Sequence, residues 1–279
     1  MRKDRNALQY YGEIPLFSWI DLNPTELCNR TCFFCPRGHD YPNTNQHMST
    51  DVAKKLRDDL VGIDYDGTIN ICGNGEPLLH KNIYKIVEIF SDLHVTIVTN
   101  GDKLDKNVVY NLYESGLKHM NVSLYDGEEQ VDKFTELFDS LDISSDWYSL
   151  REYFRESEMD YGVVGLNNRA GLIDFGDPNI DDKPCYYMHY SIAIDWNGDV
   201  LFCIQDVYGK VRTFGNVCVT NVLDIWTSDD MNKYRKLLLG TRKENSPCNE
   251  CNVDGTYFGF EHARGWSSIY ENENNTNRT

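Results

Sequence analysis

Three cysteines fall within eight residues, Cys28-Asn-Arg-Thr-Cys32-Phe-Phe-Cys35, directly after an apolar run and before Pro36. Three thiolates this close can take three corners of a tetrahedron around iron or zinc and leave the fourth to a ligand that is not a nearby cysteine. That open position is the chemical opportunity. A distant ligand such as His39 would instead close a structural zinc site, so the spacing alone leaves both metals open.

A second set follows far downstream: Cys185, Cys203, and the C-x2-C pair Cys248 and Cys251. Cys185 and Cys203 bracket a hairpin pattern over residues 192–202, whose Asn197-Gly198 turn is a strong two-residue hairpin signal. A hairpin brings its ends together, so these two thiols should meet the C-x2-C pair and make a closed four-thiolate site. Such a site suits structural zinc or a fully ligated [4Fe–4S] cluster equally. Cys72 and Cys218 fit neither set and read as buried small apolar residues.

The elements that must position these groups alternate. Residues 16–22 form a buried strand, stopped by Asn23-Pro24, that delivers Cys28 to a loop at its end. A capped helix over 50–60 leads to a strand over 68–72, and a helix over 83–90 to a strand over 95–98. A helix over 108–114 leads to a strand over 120–124, and a long helical, acidic stretch from 131 to about 155 to a strand over 161–166. Residues 191–194 make a sixth strand. Strand alternating with helix is the pattern of a parallel α/β sheet, open or closed into a barrel, whose functional groups sit at the C-terminal strand ends.

The polar motifs fall at those ends: Gly73-Asn74-Gly75-Glu76-Pro77, Thr99-Asn100-Gly101, Ser123 with Asp126, and Asn167-Asn168-Arg169-Ala170-Gly171. The two glycines of the first would let backbone approach a ligand, and Glu76 can accept hydrogen bonds from an ammonium group. Alone, the same stretch is equally an ordinary glycine turn.

The C-x3-C-x2-C spacing with Phe34 before its last cysteine resembles the cluster loop of the radical S-adenosylmethionine (SAM) enzymes. The resemblance implies a partial (β/α)6 TIM-like barrel in which Cys28, Cys32 and Cys35 hold a [4Fe–4S] cluster. SAM would complete the fourth iron and be cleaved to a 5′-deoxyadenosyl radical. It makes Phe34, Gly73, Asn74, Gly75, Glu76, Thr99, Asn100 and Ser123 the SAM-binding residues. Arg169, toward the SAM carboxylate or substrate oxygens, and Asp126, one place later than the family's acidic residue, become the catalytic candidates.

The order Cys185, Gly198-x4-Cys203, Gly215-Asn-Val217, an amphipathic helix around Ile225-Trp226, then Cys248-x2-Cys251 resembles the SPASM/twitch extension of that superfamily. No cysteine follows Cys251, which matches the shorter twitch form with one auxiliary [4Fe–4S] cluster as electron acceptor. The resemblance implies a radical SAM core over 1–183, a twitch-like hairpin-plus-helix domain over 184–265 and a disordered polar tail over 266–279. Among twitch enzymes it points to a dehydrogenase of an alcohol on a sugar- or cyclitol-like small molecule. A maturase of a ribosomally made peptide (thioether, carbon–carbon link or epimer) is the second reading, and a non-enzymatic zinc-stabilised binding protein the third. Either enzyme implies a low-potential electron donor such as flavodoxin or ferredoxin.

Composition bounds the rest. A formal charge of −17 over 279 residues argues against nucleic acid or an anionic membrane as partner. Nine cysteines, grouped rather than scattered, suit metal binding in a reducing compartment. No apolar run approaches a membrane span and the N-terminus lacks a signal-peptide pattern, which reads as cytoplasmic.

Overall fold

A computed structural model describes residues 7–154, 167–174 and 183–276, with side chains to 272. A small antiparallel ribbon, β1 (Tyr10–Tyr11) and β2 (Ile14–Pro15), precedes the main sheet. That sheet has eight strands among the described residues: β3 (Trp19–Leu22), β4 (Thr68–Ile71), β5 (His94–Thr99), β6 (His119–Leu124), β7 (Tyr148–Glu152), β8 (Ser191–Ile194), β9 (Asp199–Leu201) and β10 (Thr213–Asn216). Their spatial order is β10-β9-β8-β3-β4-β5-β6-β7. From β8 through β7 every pairing is parallel, and β9 and β10 extend the edge antiparallel.

The inner strands are apolar runs because both their faces are covered. All four residues of β4 and of β8 are buried. Helices α1 (Thr50–Gly62), α2 (Ile83–Ile89), α3 (Lys106–Glu114) and α4 (Glu129–Asp139) alternate with β3 to β7. Ser49 caps α1 by accepting from Val52 N, and Asp105 caps α3 by accepting from Val108 N. The C-terminal third adds α5 (Tyr187–Tyr190), α6 (Val222–Trp226), α7 (Asp229–Leu238) and α8 (Phe260–Thr276).

Two expectations change, and a third lies outside the described residues. The long helix expected from 131 ends at Asp139, and β7 lies inside the remaining stretch. All five of its residues are half-buried, which blurs the alternation that marks a strand. The strand expected over 161–166 lies outside the described residues. The tail expected to be disordered from 266 is part of α8, with Trp266 and Tyr270 buried against the core.

α8 is held by a stacked cation. The guanidinium of Arg235, on α7, lies 3.7 Å from the Trp226 ring centroid and 4.2 Å from that of Trp266, and its Nε donates to Met188 O. The expected boundary at 183/184 divides chain segments but not the sheet, since β8 pairs with β3 along its whole length.

Candidate active site

At the C-terminal ends of β3 to β6 a cavity of about 320 Å³ opens, and Cys28, Cys32 and Cys35 line it. Asn43 fastens their loop from below, accepting from Cys28 N and donating to Cys28 O, both at 2.9 Å. Phe34 is buried within an aromatic stack, 5.7 Å from Tyr125 and 6.0 Å from Tyr153 between ring centroids.

Arg30, between the first two cysteines, ties the loop to two strand ends. It donates twice to Asp102, just past β5, and twice to Asp126, just past β6. Asp126 is therefore turned toward Arg30 and solvent, outside the cavity lining, and the arginine holds its carboxyl below the usual range. The expected catalytic placement of Asp126 is not what the geometry provides.

Gly73-Asn74-Gly75-Glu76 lines the cavity as expected. The glycines serve a purpose the sequence did not reveal: a Cβ on Gly73 would sit 2.6 Å from Asn23 Oδ1, and one on Gly75 would sit 2.4 Å from Thr25 O and 2.5 Å from Leu27 O. They admit the segment that runs from the end of β3 into the cysteine loop, not only a ligand. Glu76 accepts from Thr99 Oγ1 (2.6 Å) and Leu78 N (3.0 Å) at Oε1 and from Asn100 N (2.8 Å) at Oε2. One lone pair on Oε2 remains. Burial pushes this carboxyl above its ordinary value against those three donors. Asn100 donates to Asn29 Oδ1, and Ser123 lines the same wall.

Arg169 also lines the cavity, from a strained loop: Arg169 and Ala170 have φ of 52° and 57°, in the left-handed region that non-glycine residues avoid. The loop is gripped from the second cysteine set. Asn168 donates to Glu250 O and accepts from Asn252 N, while Asn168 N donates to Asn252 Oδ1.

The residues present fit a cluster with SAM. Burial, with the neighbouring Cys35 and Cys28 adding to it, pushes the Cys32 thiol up to about 11, so holding three thiolates here requires a positive group among them. Among the described residues no three such side chains converge tightly enough for a single metal ion. Three buried polar atoms on the cavity wall, Asn74 Oδ1, Arg169 Nε and Gln205 Oε1, find no partner among the described residues, as expected where a polar ligand belongs.

The four thiols of the second set lie within electrostatic reach of one another. Burial raises Cys203 well above its usual value, and Cys185, Cys248 and Cys251 all bear on it electrostatically. A Cβ on Gly255 would meet Cys185 Sγ at 2.6 Å, so that turn closes directly over the thiol. Cys218 lies outside and is exposed, contrary to expectation, while Cys72 lines the first cavity.

Residues beside Cys203 join the two regions. A second cavity, about 880 Å³, shares Asp21, Asn70, Arg151, Asn167, Ile204 and Gln205 with the first, and Trp19, Tyr187 and Tyr190 add aromatic walls. Asp21 accepts from Trp19 Nε1 (2.7 Å) and Asn70 Nδ2 (2.9 Å), and burial raises its pKa despite these donors. Sequence reasoning missed Asp21 and Asn70; the signal was a polar residue in the middle of an otherwise apolar strand.

Two family models match the chain: the radical SAM superfamily over residues 22–143 and SPASM, an iron–sulfur cluster-binding domain, over 185–252. The S-adenosyl-L-methionine-dependent 2-deoxy-scyllo-inosamine dehydrogenase of Niallia circulans is 28% identical over 243 residues, 85% of this chain and 93% of the relative. The crystal structure of BtrN in complex with AdoMet and 2-DOIA superposes with a TM-score of 0.75 at 26% identity, covering 89% of this chain and 98% of that one. The structure of tagged anSMEcpe with bound AdoMet shares the fold, with a TM-score of 0.56 at 13% identity over 92% of this chain and 98% of that one.

Proposed function

We propose, from the premise that the chain belongs to the radical SAM superfamily and carries a SPASM-type iron–sulfur domain, that it is a dehydrogenase of a secondary alcohol on a cyclitol- or sugar-like small molecule. The similarity to the inosamine dehydrogenase covers most of both chains and supports this reading. The observation that carries it is the shared wall: a cavity lined by the first set meets a second cavity across Asp21, Ile204 and Gln205, and the last two directly follow Cys203. A substrate in that junction lies between both sets.

Cys28, Cys32 and Cys35 would hold the [4Fe–4S] cluster that SAM completes, and Cys185, Cys203, Cys248 and Cys251 the auxiliary one. When bound, these groups supply a 5′-deoxyadenosyl radical that takes the carbinol hydrogen atom and an acceptor for the one electron left behind. The residues do the rest. Glu76 offers its free Oε2 lone pair to the SAM ammonium, Arg169 offers Nε to the carboxylate, and Phe34 lies beside Tyr125 to wall the nucleoside. Asp21 takes the hydroxyl proton, which closes the balance: one hydrogen atom, one proton and one electron leave the alcohol, and a ketone results. Asp126 acts through Arg30 by fixing the cluster loop. Reduction draws on a low-potential donor of the flavodoxin or ferredoxin kind. Among the described residues no helix is long and apolar enough to cross a membrane.

The test is anaerobic turnover of 2-deoxy-scyllo-inosamine deuterated at the oxidised carbon, with SAM and dithionite. Deuterium should appear in 5′-deoxyadenosine together with ketone, and Cys32→Ala should form neither. Deoxyadenosine released without deuterium from this and related aminocyclitols would direct attention to a peptide substrate.

A further inference from the structure

Tyr208 joins the two cysteine sets more directly than any cavity wall. It is buried, lies five residues after Cys203, and places its hydroxyl 3.2 Å from Cys35 Sγ. The loop that carries it is locked at three points, two of them on the SAM-side loops (Asn74 and Glu26) and one at Asp195, just past β8. Asn74 Nδ2 donates to Val207 O at 2.8 Å, Lys210 pairs with Asp195 at 2.7 Å, and the same Lys210 pairs with Glu26, two residues before Cys28. Tyr41 packs edge-on against the Tyr208 ring, 4.9 Å between centroids.

The hydroxyl has a second acceptor, Asn74 O, also at 3.2 Å. That carbonyl is already engaged by the Arg37 guanidinium, whose Nε donates to it at 2.6 Å. A metal-bound Cys35 is a thiolate with no proton of its own, so the phenol, protonated at neutral pH, must be the donor between the two. A charged sulfur also draws the proton more strongly than a neutral carbonyl already occupied by a cation.

We propose that Tyr208 donates its phenolic hydrogen bond to Cys35 Sγ and thereby raises the reduction potential of the cluster held by Cys28, Cys32 and Cys35. The reason is electrostatic: reduction adds negative charge to the cluster and its sulfurs, and a hydrogen-bond donor stabilises that added charge. Tyr208 is thus a tuning residue, supplied by the auxiliary domain to the radical-forming site. The inference rests on the two-cluster reading above, which iron content and SAM cleavage check separately.

The experiment is an EPR-monitored redox titration of the full-length, doubly loaded protein, following the cluster whose signal changes on adding SAM. Tyr208→Phe keeps the ring and its packing. It should hold about eight irons, yet show a more negative potential for that cluster alone, with the reduced-to-oxidised ratio at fixed solution potential about threefold lower or more. An unchanged potential with full iron overturns the proposal, as does an equal shift of both clusters. Should Tyr208→Phe fail to hold iron, 3-fluorotyrosine placed at position 208 decides. Its more acidic phenol donates more strongly and should move the potential upward; no movement overturns the proposal.

Discussion

Arg30 holds Asp126 by two hydrogen bonds, Nη1 to Oδ1 at 2.9 Å and Nη2 to Oδ2 at 2.6 Å, so the acidic residue at the end of β6 secures the cluster loop rather than facing the cavity. Asp102 grips the same guanidinium from the end of β5, with Nε and Nη2 donating at 2.7 and 2.5 Å. Asp126→Asn should therefore leave turnover within a few-fold of wild type, because Asp102 still holds the loop. Arg30→Ala, which releases both strand ends, should lose iron from the SAM-binding cluster to a chelator faster while the auxiliary cluster persists. A fall in turnover of about a hundredfold or more in Asp126→Asn, with SAM affinity unchanged, would return Asp126 to the chemistry.

Glu76 has one acceptor position left after Thr99, Leu78 and Asn100 are satisfied. Replacing it with Gln removes the charge and sets an amide against donors that need an acceptor. SAM affinity in Glu76→Gln should fall by roughly tenfold to a hundredfold, the worth of a charge-assisted hydrogen bond of about 1.5–3 kcal/mol. Iron content should stay constant. Equilibrium binding of SAM to the anaerobic protein measures this directly, and an unaltered affinity would leave Gly73–Glu76 as a packing turn against the segment that runs from β3 into the cysteine loop.

If Asp21 takes the hydroxyl proton, Asp21→Asn should cut ketone formation by about a hundredfold to ten-thousandfold while iron and SAM binding persist. The carboxylate must be ionised to act, and burial raises its pKa above the ordinary 3.8. Turnover should therefore rise with pH through that raised value, and the acid limb should vanish in the variant. Full activity in Asp21→Asn would remove it from the proton path.

His189 and His262 are both buried and held neutral, with pKa values lowered to about 3 and about 4; burial is the main cause, and the Arg235 cation adds to it at His189. The unfolded chain protonates both near 6.5. Their contribution is whole above that value and is lost as pH falls from 6.5 toward 4 and then 3. By this linkage each ring costs about 1.4 kcal/mol at about pH 5.5. Asp206, whose carboxyl burial raises to about 6, works in the opposite direction, so the comparison must be with a variant. His262→Phe should lose less stability than wild type between about pH 7.5 and pH 5.5 in urea unfolding. Parallel losses in the two proteins would contradict the assignment.

Both cysteine sets, the hairpin between Cys185 and Cys203, and the parallel strands through β6 were legible because each rests on local signals: close spacing, an Asn197-Gly198 turn, and apolar runs buried on both faces. β7 was not, since its half-buried residues carry no clear period. Nor was the packing of α8, whose polar surface reads as a tail until Arg235 is seen stacked on Trp266. Tyr208 escaped for a different reason: nothing near it in the chain marks it, and it acquires meaning only from Cys35, which the fold brings beside it. Asp21 was marked, as a polar residue inside an apolar strand, but the mark gains a meaning only from the second cavity beside it. The purpose of Gly73 and Gly75 was half-read, because the close approach they permit is to the chain's own backbone and to Asn23.

The central claim is a division of labour, with one cysteine set generating the radical and the other taking the last electron from the substrate. The measurement that bears on it most directly is the ratio of ketone to 5′-deoxyadenosine in Cys248→Ala/Cys251→Ala, beside wild type, with iron content and circular dichroism confirming loss of one cluster and a kept fold. Wild type, with about eight irons, should give a ratio near one; the variant, with about four, should still form deoxyadenosine but give a ratio near zero. A variant that retains the wild-type ratio, or a wild type that carries zinc at this site, would contradict the account and leave the second set a structural role.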